Sequence, residues 1–153
     1  MTQKHNTHGT GILVAHHGIL LTGVSGAGKS LLALDLLEQA KLRGEDALLI
    51  SDDRVDLSVD EDGLVMEPPA TIAGLIELRG RGIVKLPYAE SAHVHLVVEL
   101  VDTMERLLEE RELTTQIHGI WVPRCPVPRR GLVDGLHQRF LVHAALRALG
   151  AMA

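Results

Sequence analysis

Gly23-Val24-Ser25-Gly26-Ala27-Gly28-Lys29-Ser30 decides how the rest of this chain reads. Its spacing, G-x-x-x-x-G-K-[ST], is that of a phosphate-binding loop (P-loop). Both flanks agree. Gly18-Ile19-Leu20-Leu21-Thr22 is an apolar run that reads as the strand entering the loop. Ser30 and Leu31-Leu32-Ala33-Leu34-Asp35-Leu36-Leu37 read as the helix leaving it. Glycines let the backbone curl round a phosphate, so that successive N–H groups face its oxygens. The helix N-terminus adds partial positive charge. Lys29 would reach the outer phosphates, and the Ser30 hydroxyl would hold Mg²⁺. The stretch predicts binding of a nucleoside triphosphate or a similar polyphosphate.

Outward from the loop, composition narrows the class. A chain of 153 residues is expected to form one domain with a real core. With one Trp, one Tyr and one Phe, that core must be built from Leu, Val, Ile and Ala. A net charge of -5 without a long basic run argues against a nucleic-acid surface. The single cysteine, Cys125, excludes an internal disulfide and fits a reducing compartment. No apolar run approaches bilayer length, and Met1 to Thr7 lacks the apolar core of a signal peptide. The expectation is a cytoplasmic protein without a membrane partner.

Upstream of the loop, a polar tail leads to His8-Gly9, and Ile12-Leu13-Val14-Ala15 reads as a strand. His16-His17-Gly18 reads as a tight, solvated turn, with no further ligands at metal-site spacing. Downstream, the helix should end near Lys41-Leu42-Arg43-Gly44. Ala47-Leu48-Leu49-Ile50-Ser51 is a strand ending in Asp52-Asp53-Arg54. A carboxylate there would lie near Mg²⁺ and the terminal phosphate, although such a pair is also an ordinary strand ending. Val55 to Val59, Asp60-Glu61-Asp62-Gly63 and Leu64 to Met66 form a hairpin pattern.

Beyond Pro68-Pro69, Glu77 and Arg79 lie two apart within Ile72 to Val84, so in an extended strand they share a face. The Ile, Leu and Gly around them do not read as a solvated edge. Val94 to Leu100 is a strong strand, with His93 and His95 read as surface positions. Thr103 to Leu113 reads equally as helix or loop, and Ile120-Trp121-Val122 as a short strand. Arg124 to Gly131 reads as a basic, proline-stiffened loop. A helix from about Leu132 to Leu149 closes the chain, with Val133, Leu136, Phe140 and Ala144 stepping at three and four.

These residues together resemble the catalytic, C-terminal domain of the HPr kinase/phosphorylase family. The matching pieces are His8-Gly9, the loop from Gly23 to Ser30, Asp52-Asp53 followed by Arg54-Val55, and Ile76-Glu77-Leu78-Arg79-Gly80-Arg81-Gly82-Ile83. The last is similar to the family signature L-E-I-R-G-x-G-I, and the likeness runs from about Thr7 to Leu149. The resemblance implies an α/β phosphate-loop domain on a mixed sheet, of the HPr kinase/PEP carboxykinase-like fold. It implies an ATP- and Mg²⁺-dependent serine kinase acting on the phosphocarrier HPr, with phosphate-driven reversal, and a homo-oligomer, hexameric in the family. Lys29 matches the loop lysine, Ser30 and Glu77 the magnesium-associated positions, and His8 the catalytic-site histidine. Asp53 matches the carboxylate that accepts the serine proton. Arg106 falls where the family has an active-site arginine, and Arg129 and Arg130 lie in the loop linked to dephosphorylation.

The chain departs from the pattern in several places. Only a few residues precede His8, where the family has a separate N-terminal domain, so one catalytic domain over 1–153 is expected. Val24 replaces an aspartate and Leu31 a glutamate, and extra residues separate Ser30 from Asp52. The segment between Leu86 and His93 is short, and the basic loop carries an extra proline. Two other readings stay open. One is a kinase of the same fold with another protein or a small hydroxylated metabolite as acceptor. The other is a non-catalytic nucleotide-binding module, against which the joint retention of Lys29, Ser30, Asp53, Glu77 and Arg106 weighs.

Overall fold

A computed structural model describes residues 3–152. The apolar runs read from the sequence become the centre of a six-stranded mixed sheet. Strands β1 (His5–His8), β2 (Thr10–Val14) and β3 (His17–Thr22) precede helix α1 (Lys29–Leu42). Then come β4 (Ala47–Ser51), β5 (Arg54–Asp60), β6 (Gly63–Glu67), β7 (Leu75–Leu78) and β8 (Gly82–Lys85). The chain ends with β9 (Ala92–His93), β10 (Leu96–Val101), β11 (Thr114–Ile117), β12 (Ile120–Pro128) and helix α2 (Gly135–Met152).

The main sheet has the order β11-β12-β10-β3-β2-β4. Its inner strands β3, β10 and β12 are parallel, and β2, β4 and β11 join antiparallel. Both faces are covered, which is why these strands read as continuous apolar runs rather than alternating ones. Ile19, Leu21, Leu96, Val98 and Leu100 pack towards the two helices. Leu20 and Val97 point the other way, onto Val55, Leu57, Leu64 and Met66 of a second, antiparallel sheet ordered β1-β5-β6-β9. The result is three layers: helices, main sheet, small sheet.

Several expectations are corrected. The polar tail is not free: His5–His8 pairs with β5 from His5↔Leu57 to His8↔Arg54. Ala15 leaves its strand. With His16 it forms a two-residue hairpin turn, both residues at positive φ (50° and 68°). Ala92–His93 belongs to the small sheet and Leu96–Val101 to the main one, so Val94-His95 is the crossing between sheets. Gly18 docks on that crossing. Its N–H donates to His95 Nδ1 (2.9 Å), its carbonyl accepts the His95 N–H (2.8 Å), and a Cβ there would collide with the His93 carbonyl.

The basic loop is a strand as far as Pro128, paired in parallel with β10 from Val97↔Arg124 to Val101↔Pro128. Its prolines fit because Arg129 N–H donates to Val101 O (2.8 Å). By the period of two, Val127 and Cys125 also face β10, while Pro126 and Pro128 turn their donorless nitrogens outward, past the end of β11. Among the described residues the ribbon β7–β8 pairs with no other strand, and Glu77, Arg79, Gly82, Ile83 and Lys85 are exposed. This is the solvated edge that its composition argued against.

Thr103 to Glu109 is loop, followed by a short 3₁₀ turn at Glu110–Leu113. Helix α2 starts at Gly135 rather than Leu132, where the Asp134 carboxylate accepts the His137 N–H (2.9 Å). Its buried face carries Gln138 and Val142, whereas Leu136, Phe140 and Ala144 face solvent. Arg139 grips Asp35 of α1 with two bonds (2.8 and 2.9 Å), tying the two helices together. Among the described residues no helix is long and apolar enough to cross a membrane.

Candidate active site

Strand β3 delivers the loop to the C-terminal edge of the parallel strands, and α1 begins at Lys29 behind it. Gly26 (φ 83°) and Gly28 (φ 98°) hold left-handed conformations that side-chain-bearing residues rarely adopt. They shape the concave loop backbone into which a phosphate would fit. Ala27, 2% exposed, anchors the loop from beneath, and its N–H donates to Val24 O (3.1 Å). Lys29 curls over the loop, its Nζ donating to Gly23 O (2.8 Å) and Val24 O (3.1 Å). Burial pushes the Lys29 ammonium below its ordinary value, while Asp53 and then Asp52 pull it back up.

The next layer comes from the end of β4. Asp52 is nearly buried, and its Oδ1 accepts from the Ser30 hydroxyl (2.7 Å) and the Thr10 hydroxyl (3.1 Å). Its Oδ2 accepts the Glu77 N–H (3.2 Å). One carboxylate thus joins the loop serine, the first residue of β2 and ribbon β7–β8. Asp53 diverges from it because the backbone turns left-handed there (φ 70°), a conformation Asp tolerates. Simple alternation along an extended strand is therefore not what separates the pair. Gly9 N–H donates to Asp53 O (3.0 Å), and His8 Nε2 lies 3.0 Å from Asp53 Oδ1. That approach has the distance of an ion pair but not the alignment of a hydrogen bond, and no other described residue bonds this nitrogen.

These groups surround a pocket of about 360 Å³. Ser25, Gly26, Gly28, Lys29 and Ser30 form one wall, and Thr10 with Asp52 and Asp53 forms another. Glu77, Arg79 and Arg130 close it. Arg130 packs against Gly28, where an added Cβ would lie 3.5 Å from the arginine's own Cβ. Arg129 points elsewhere and pairs with Asp102 (2.8 Å).

Arg106 is not brought to this pocket. It lines the larger cavity of about 560 Å³, with Met104, Leu113, Arg124 and His137. Size alone would have selected that cavity, yet it holds neither the phosphate loop nor the aspartate pair. By its chemistry rather than its volume, the smaller pocket is the candidate site. Sequence reasoning missed Thr10 and underrated Asp52. The available signal was a lone hydroxyl opening an otherwise apolar strand.

The pocket combines a phosphate-shaped backbone and three cationic side chains with oxygen donors from Ser30, Asp52 and Glu77, the donor set a hard cation such as Mg²⁺ takes. Comparison with known proteins agrees with this chemistry. The family profile described as HPr Serine kinase C-terminal domain matches residues 1–149. The HPr kinase/phosphorylase of Lactobacillus acidophilus is 32% identical over 140 residues, which is 84% of this chain. That of Caldicellulosiruptor bescii is 35% identical over 135 residues, or 80% of the chain. The chain spans 42% of the length of each relative. The solved Hpr(Ser) kinase/phosphatase from Coxiella burnetii superposes with a TM-score of 0.76 at 27% identity, covering 97% of this chain and 94% of that one.

Proposed function

The chain belongs to the HPr serine kinase C-terminal domain family, and we propose that it is an ATP- and Mg²⁺-dependent serine kinase whose acceptor is an HPr-like phosphocarrier. The observation that carries this is the convergence of Lys29, Ser30, Asp52, Asp53 and Glu77 on one pocket. Phosphoryl transfer needs positioning and charge neutralisation more than covalent help from the protein. The loop backbone and Lys29 would hold the outer phosphates, and Ser30, Asp52 and Glu77 would hold Mg²⁺. Bound there, Mg²⁺ would supply positive charge to offset that of the phosphates. Arg79 and Arg130 line the same pocket and supply the cationic stabilisation that Arg106, in the other cavity, does not.

A serine hydroxyl is a poor nucleophile at neutral pH, so a base must orient it and take its proton. Asp53 fills that role in this proposal. Its side chain is 65% exposed, open to an incoming acceptor, while His8 at 3.0 Å steadies it from behind. Asp52 has no such freedom, since its oxygens are engaged by Ser30, Thr10 and Glu77. With inorganic phosphate as the attacking group, its oxygen would bond to the phosphoserine phosphorus as the serine P–O bond breaks. Asp53 would protonate the leaving serine oxygen, and pyrophosphate would be the other product. The chain acts as a single catalytic unit and assembles as a homo-oligomer, for which the exposed α2 face offers apolar surface.

The test is incubation of the purified chain with ATP, Mg²⁺ and HPr, followed by mass spectrometry of HPr. A phosphoserine that requires both ATP and Mg²⁺ is the expected product. Label on another protein or on a metabolite in lysate, with HPr unmodified, would replace the acceptor but keep the kinase. No transfer to any acceptor despite ATP binding would favour a nucleotide-binding module.

A further inference from the structure

Thr10 sits where the two aspartates part. It is wholly buried at the start of β2, in an otherwise apolar strand, yet its hydroxyl both donates and accepts. Oγ1 donates to Asp52 Oδ1 at 3.1 Å and accepts the Asp53 backbone N–H at 3.4 Å. One side-chain oxygen therefore touches the carboxylate of the first aspartate and the backbone of the second. Asp53 is held from the other side as well, through the Gly9 N–H on its carbonyl. Between these two tethers the chain makes its left-handed turn at φ 70°.

We propose that Thr10 is a positioning residue, its hydroxyl setting the Asp52 carboxylate for the metal and the Asp53 turn for the acceptor. This rests on the kinase reading above. A buried hydroxyl in an apolar strand costs folding energy unless it is bonded, and valine would fill the same space without that cost. Among the described residues, the Thr10 hydroxyl bonds only the Asp52 carboxylate and the Asp53 backbone N–H. Ser30 occupies the same Oδ1 of Asp52 at 2.7 Å. When Ser30 turns its oxygen to a metal ion, the Thr10 bond and the Glu77 N–H on Oδ2 are what keep the carboxylate from rotating. Partners of this kind behind a metal ligand commonly change metal affinity by about 10–100-fold.

The experiment measures nucleotide binding by calorimetry across a Mg²⁺ titration, with Thr10→Val, Thr10→Ala and Thr10→Ser beside the wild type. The hydroxyl-free variants should need about 10–100-fold more Mg²⁺ for half-saturation, with metal-free nucleotide binding unchanged. Thr10→Ser should restore the wild-type Mg²⁺ requirement. In an Asp52→Asn background, Thr10→Val should add little, since the two act through one carboxylate. Folded Thr10→Val or Thr10→Ala protein with a wild-type Mg²⁺ requirement would overturn the proposal. So would an effect undiminished in the Asp52→Asn background, or a fold lost in both hydroxyl-free variants and kept in Thr10→Ser, which marks a structural role alone. Wild-type protein without Mg²⁺-dependent nucleotide binding would instead sink the kinase reading on which this stands.

Discussion

The Ser30 hydroxyl donates to Asp52 Oδ1 across 2.7 Å, joining the first turn of α1 to the end of β4, 22 residues further along the chain. This contact relates the phosphate loop to the strand-end carboxylates. The aspartate pair is split there: Asp52 faces inward to Ser30, and Asp53 turns outward to His8 and the open pocket.

Nucleotide binding should depend on Lys29. Its Nζ rests on the loop carbonyls of Gly23 and Val24, so the charge already lies over the loop. Lys29→Ala should abolish measurable Mg²⁺-ATP binding in calorimetry. Equal affinity in the wild type and the variant would reject the phosphate-loop assignment.

The two aspartates should fail differently. Asp53→Asn should keep ATP and Mg²⁺ binding but lose roughly 10²–10⁴-fold in transfer rate, the usual effect of removing a general base. Asp52→Asn should raise the Mg²⁺ requirement, because the amide weakens the bonds from Ser30 and Thr10. Steady-state transfer with a serine acceptor, measured over a Mg²⁺ series, separates the two. Near wild-type turnover in Asp53→Asn would move the base elsewhere.

Assembly should follow the exposed face of α2, where Leu136 is 49% and Phe140 59% exposed. Light scattering at micromolar concentration should give a multiple of the 16.6 kDa chain mass. Phe140→Glu should shift it towards monomer without changing thermal stability by more than a surface substitution does, about 0.5 kcal/mol. A wild-type monomer counts against the homo-oligomer.

Acid should destabilise the fold through His95. Burial first, then the neighbouring His17 and His93, hold this imidazole below its ordinary value of 6.5. Its folded pKa is therefore lower than its unfolded one, and the unfolded chain takes up the proton first as pH falls. The contribution is complete above the unfolded value and is lost as pH drops through the folded one. Geometry gives the same sign, since a protonated Nδ1 cannot accept the Gly18 N–H. Melting temperature should fall as pH drops through the ordinary imidazole value of 6.5 and below it. His95→Asn, which keeps an acceptor but does not titrate, should flatten part of that fall. His143 is shifted in the same direction, mainly by burial, so some slope should persist. An identical pH profile in His95→Asn would remove His95 as the cause.

What the sequence determined by itself is the part of the protein that local pattern encodes. The loop from Gly23 to Ser30, the strand before it, the helix to Leu42 and the hairpin across Asp60 to Gly63 all follow from apolar spacing and glycine placement within a few residues. The signature around Glu77 likewise named the family without any tertiary information. Pairing between distant segments left no such mark. His5–His8 is a strand because β5 offers it a partner, and Pro126 and Pro128 sit in a strand because only one of its sides is hydrogen-bonded there. The apolar stripe of α2 reads the same whether core or solvent faces it. Arg106 looked catalytic by position, yet the chain carries it to the other cavity. Thr10 lay outside the strand read from Ile12 to Ala15, yet folding set it 3.1 Å from Asp52, 42 positions away. Hydrogen bonds across such separations depend on strand register, and register is decided by the packing of the whole core rather than by any short stretch.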